Sequence, residues 1–151
     1  MFTNICKKFV YLMFFPLLIL IRIISKFYLI RFGELVSDRI GHFACCTELY
    51  LCEKDHNINV PKKKFLDLFI MGKIISNKQI EVFIRRKLIV LPRFILGPLI
   101  NINKIIPGGE EHDFFYRKTL VEKRNFFMHR DTKNLLDISK NHFEFTKKEN
   151  Y

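Results

Sequence analysis

Three apolar runs, each followed by a segment of helical periodicity, constrain this chain more than any other feature. "KFYLIRF" (26–32), "FLDLFIM" (65–71) and "LIVL" (88–91) read as strands, and Gly33, Gly72 and Pro92 stand where each would stop. Helical patterns follow. Cys45, Leu49 and Cys52 recur at helical spacing over 38–52, with Ser37 or Asp38 as the expected cap. Over 76–88, Ser76 and Gln79 have capping-box spacing, and Ile80, Phe83, Ile84 and Leu88 form one apolar face. Strands alternating with amphipathic helices across short polar loops predict an α/β domain with a parallel sheet. The helices are expected to pack against that sheet through right-handed crossovers.

The later chain is less regular. Residues 94–106 predict a helix broken near Gly97-Pro98. "PGGEEH" (107–112) reads as a loop, and "NFFMHRD" (125–131) as a further strand. Thr146 and Glu149 have capping-box spacing close to Tyr151, so the sequence is expected to be truncated as a helix opens.

Ahead of the first strand, "FVYLMFFPLLILI" (9–21) is uninterrupted and apolar, with Lys7 and Lys8 before it and Arg22 after. Its length falls short of the ~20 residues that cross a bilayer, and no small-residue cleavage site follows. Residues 1–25 are therefore expected to form an apolar helix, either in a membrane interface with its basic flanks at the headgroups or packed on the domain's own sheet. Residues 26–151 are expected to form the domain itself. A net charge of +11 favours anionic partners, including an anionic membrane surface. No nucleic-acid partner is expected, since the lysine and arginine clusters are not interleaved with aromatics in any such motif. The four cysteines lack the spacing of a disulfide framework, which points to reduced thiols and a cytoplasmic location, peripheral to the inner membrane where the apolar helix engages it.

The densest chemistry lies in "RFGELVSDRIGHFA" (31–44), where the first strand hands over to a helix. In a parallel α/β sheet, ligands bind beyond the carboxyl ends of the strands, where glycines let the backbone come close. A helix N-terminus there offers amide donors to an anion, and Arg31 and Arg39 add forked donors suited to phosphate. His42 is a candidate general base. The bland alternative is that Gly33 and Gly41 shape a turn and His42 is a surface residue. No G-x-G-x-x-G or G-x-x-x-x-G-K-[ST] is present.

Other candidates are weaker. His42, Cys45, Cys52 and His56 have ligand chemistry, but on one helix the outer two would be about 21 Å apart at ~1.5 Å per residue. One tetrahedral ion cannot gather them, so no metal and no cofactor is expected. "HRD" (129–131) lacks every other part of a kinase catalytic set.

The stretch "RFGELVSDRIGHFACCTELYLCEKD" resembles the N-terminal signature of a family of bacterial glycosyltransferases of the GT-B type. "SNKQI" (76–80), "INKIIPGG" (102–109) and "HFEFTKKE" (142–149) are similar to later pieces of the same family. The resemblance implies a Rossmann-like sheet forming the acceptor-side half of a two-domain enzyme that transfers sugar from a nucleotide-sugar donor to a glycan or other hydroxyl acceptor. It places Arg31, Gly33, Arg39, Gly41, Gly108 and Gly109 among the substrate-binding residues and makes His42 the catalytic base. The donor-binding half has no counterpart in the match, so the chain is expected to be inactive alone. The rival expectation is a small basic membrane-associated binding protein without catalytic activity.

Overall fold

A computed structural model describes residues 4–58, 60–114, 131 and 134–146, with only the backbone for 4–10. The expected strand at 125–131 and the Thr146–Glu149 capping pair depend on residues outside that set. Helix α1 spans Asn4–Ile24 and runs through Pro16. Strand β1, Leu29–Leu35, leads to a helix entered at Ile40, whose first part (His42–Cys46) is π-helical and whose remainder is α2, Thr47–Asp55. Strand β2 (Phe65–Met71), helix α3 (Lys78–Lys87), strand β3 (Ile89–Val90) and helix α4 (Arg93–Ile105) follow. A 3-10 turn, Gly109–His112, and the short helix α5, Leu135–Ile138, complete the described elements.

The three strands form one parallel sheet in the order β1-β2-β3, as the alternating pattern predicts. Strand periodicity sends alternate side chains to opposite faces. Phe32 and Ile70, with Ile30 and Leu68, face a core built with Leu18 and Ile21 of α1 and Leu96, Leu99 and Ile102 of α4. Leu35, Phe69 and Met71 face the other core, with Phe43, Tyr50 and Leu51 from the α2 side and Ile84 of α3. The sheet is thus covered by helices on both faces.

The path after β3 determines where a ligand site can lie. Both β1–α2–β2 and β2–α3–β3 step in one direction across the sheet. Helix α4 then returns over the opposite face to the free edge of β1, where Asp113 makes a parallel bridge with Phe32. Just before it, His112 donates from Nδ1 to the Ile30 carbonyl at 2.6 Å. The chain reverses its direction of winding at β1, and in open α/β sheets such a reversal opens a crevice at the carboxyl ends of the strands.

Several boundaries differ from expectation. β1 continues through Gly33, which pairs with Phe69, because Leu35 beyond it still has a core to enter. Ser37 does not cap the following helix; it is fully buried and donates to the Ile74 carbonyl at 2.6 Å, tying the loop after β1 to the loop after β2. The cap of α3 is Asn77, whose side chain accepts from the Ile80 amide, one residue later than the Ser76–Gln79 spacing suggests. Helix α4 is continuous through Gly97-Pro98. Proline removes one amide donor from its interior, while Leu96 and Leu99 on the buried stripe hold the helix together from outside.

Helix α1 packs on the domain's own sheet, one of the two arrangements expected at its N-terminus. Leu18 and Ile21 are buried against the sheet and α4. Leu12, Met13, Ile19, Leu20 and Ile23 face outward and exposed. Among the described residues no helix is long and apolar enough to cross a membrane.

Candidate functional site

The residues singled out from the sequence fall in three separate places. Arg31 lies inside the sheet, 2% exposed, opposite Asp67 in the β1–β2 register. Its Nε donates to Asp67 Oδ1 at 2.5 Å and its Nη2 to Oδ2 at 2.6 Å, while the Tyr50 hydroxyl donates to the same Oδ2 at 2.6 Å. The guanidinium is also held over the rings of Phe65 and Phe114. Burial first, and the Asp67 carboxylate second, push the Tyr50 hydroxyl well above its ordinary pKa, so it stays a donor. Both oxygens of Asp67 are therefore occupied, and the fork of Arg31 is spent on them. The expected phosphate-binding role of Arg31 is corrected: it is a structural cation of the core.

Gly33, also buried, sits two residues further along β1 and within it. It is a strand residue, not part of a ligand loop, and its expected contact with substrate is corrected accordingly.

Arg39, Gly41 and His42 lie beyond the carboxyl end of β1. Arg39 and Gly41 are exposed and His42 half-buried, with Nδ1 3.7 Å from Cys46 Sγ. The backbone at Gly41 is ordinary right-handed helix (φ −62°, ψ −46°), and a Cβ there would meet nothing within 4 Å. Neither the turn nor packing demands glycine at this position. What glycine does provide is an uncovered backbone at the start of the helix, flanked by Arg39 and His42. The π-helical turn beginning at His42 is an irregularity that recurs at functional sites.

Nearby, Arg93 reaches Glu34 Oε1 at 2.5 Å and the Met71 carbonyl at 2.6 Å, and the Ser76 amide donates to the Ser37 carbonyl. These bonds join the loops of all three strands into one rim.

Gly108 and Gly109 lie at the opposite, amino end of β1. Arg22, at the C-terminus of α1, donates to the carbonyls of Pro107 and Ile106 and to Asn103 Oδ1 there. Gly108 has a left-handed backbone (φ +78°), and a Cβ on Gly109 would come 2.0 Å from the Asn103 carbonyl oxygen. Both glycines are needed for the turn and its close approach to α4, and they lie apart from Arg39 and His42. A shallow pocket of about 110 Å³ between Asn103, Lys104, Gly109 and Asp113 marks that end.

Sequence reasoning missed Asp67 and Tyr50. The signal was present: a lone carboxylate in "FLDLFIM" cannot enter a core without a cation and donors. Also missed was a group formed by α2 and the C-terminal segment. His142 bonds Glu48 Oε1 through Nδ1 and Asp55 Oδ2 through Nε2, each at 2.9 Å. Comparison of the chain with family models, with curated proteins and with solved structures found no match in any of the three.

Proposed function

We propose that this chain is a Rossmann-like acceptor-side domain of a GT-B-type glycosyltransferase, with its ligand face at the carboxyl end of β1. The observation that carries this reading is Gly41, an open backbone position at the winding reversal of a parallel sheet, between Arg39 and His42. The exposed guanidinium of Arg39 and the first amides of the helix suit a phosphate or acceptor oxygens. His42 takes the proton of the acceptor hydroxyl as its oxygen attacks the donor's anomeric carbon. The nucleotide leaves from a site on a second domain. Proximity is most of such a rate, so these 151 residues by themselves should transfer no sugar.

Titration with inorganic phosphate tests the site. Arg39→Ala should weaken binding by about tenfold or more, as expected for a lost charged hydrogen bond of ~1–3 kcal/mol. His42→Ala should leave binding intact. Equal affinity in wild type and Arg39→Ala contradicts the site, and sugar transfer by residues 1–151 alone contradicts the acceptor-side assignment.

A second reading is favoured by α1, where Leu12 is 70% exposed, Met13 66% and Ile23 61%, with Phe27 beyond the helix at 82%. That face suits the interface of an anionic membrane, with the positive net charge adding attraction. It complements the first reading, because an acceptor carried on a membrane would meet a domain seated there. Should vesicles bind but no phosphate, the chain is a basic membrane-associated binding protein.

A further inference from the structure

The geometry points to a zinc site formed by Glu48 and Cys52 of α2 and His142 of the C-terminal segment. Their donor atoms all lie within 4.8 Å of one another. Glu48 and Cys52 stand at i and i+4, on one face of the helix. The ions that accept carboxylate, imidazole and thiolate together are borderline-soft divalent ones, with Zn²⁺ foremost.

Three features of the surroundings favour a ligand role over a simple polar cluster. Glu48 Oε1 is occupied by the backbone amide of His142 at 2.8 Å and by its ring, whereas Oε2 is buried and has no hydrogen-bond partner among the described residues. A buried carboxylate oxygen without a donor is costly unless a cation satisfies it. Next, His142 Nε2 donates to Asp55 Oδ2, and Nδ1, 2.9 Å from Glu48 Oε1, faces Glu48 and Cys52 and would release its proton to take an ion. A carboxylate behind the imidazole is the usual means of fixing the tautomer of a metal-bound histidine. Finally, Cys52 is 1% exposed, so its thiol is shielded from solvent beside Glu48 and His142. On coordination the thiol proton passes to solvent.

His42, Cys45, Cys52 and His56 along a single helix are too far apart to share one ion. Here the third ligand comes from the distant segment that follows α5, and the ion would clip that segment to α2. Three protein ligands leave a fourth position for water.

The test uses the full chain stripped of metal with a chelator, then titrated with Co²⁺ and with Zn²⁺. One Co²⁺ per chain should bind with a thiolate-to-cobalt charge-transfer band, and Zn²⁺ should displace it and raise the Tm. Cys52→Ser and His142→Ala should lose the band, while Cys45→Ser, at an exposed thiol, should keep it. His142→Cys, which restores a ligand, should recover Zn²⁺ binding. Asp55→Asn should weaken binding by about tenfold or more. A folded wild-type chain with no charge-transfer band at saturating Co²⁺, or a band that survives Cys52→Ser, overturns the proposal.

Discussion

Arg31 and Arg39 belong to one short stretch, and their surroundings give them opposite work. Arg31 has its charge taken out of water, so its worth lies in the completeness of its bonds to Asp67. Removing one partner strands the other. Arg31→Met or Asp67→Ala alone should destabilise by about 3–5 kcal/mol, while the double variant Arg31→Met/Asp67→Leu should regain much of that loss. Urea titration measures all three. Tyr50→Phe should cost about 1–3 kcal/mol by leaving Asp67 a donor short. His112 gives a pH signature. Burial chiefly holds its imidazole below the ordinary 6.5, with the bond to the Ile30 carbonyl partly opposing. The folded chain thus binds that proton less readily than the unfolded one, so its contribution is full above pH ~6.5 and is lost as pH falls through the lower folded value. Tm measured across that window should fall with acid, and His112→Gln should flatten the slope.

At the scale of elements, the sequence conveyed periodicity well and termini poorly. The strands and the two crossover helices were legible because apolar spacing follows directly from which face meets the sheet. Caps were not, because Ser37, Ser76 and Asn77 all have the right chemistry, and only the three-dimensional course of the loops decides which one turns to an amide. Asn77→Ala should cost about 1 kcal/mol, whereas Ser76→Ala should stay within about 0.5 kcal/mol. The candidate site was legible in part. Arg39, Gly41 and His42 fell at the strand end as expected, while Arg31 and Gly33 did not, since β1 runs on past them to Leu35. Helix α1 combines a buried and an exposed apolar face, which hydropathy alone cannot separate. Deleting residues 1–25 would uncover Leu96, Leu99 and Ile102 of α4, so a more soluble product is not expected. Leu12→Glu with Ile23→Glu is the cleaner change. It should preserve the Tm and abolish co-flotation with anionic vesicles, and unchanged flotation would remove the membrane reading.

For the molecule as a whole, the direction of the strands separates two ends. The sheet is parallel, the winding reverses at β1, and the rim at its carboxyl end is knitted by Ser37, Ser76 and Arg93, while Gly108 and Gly109 serve the opposite end. A ligand face at the rim and a structural role for everything below it are separable claims, and Gly41 separates them. Its right-handed backbone and open flank accept any side chain without strain, so Gly41→Leu should fold normally, with a Tm equal to or slightly above wild type. The same side chain covers the exposed amides between Arg39 and His42. Calorimetric titration of the Gly41→Leu chain with inorganic phosphate should therefore show binding lost and stability kept; wild-type affinity in that variant would contradict the site.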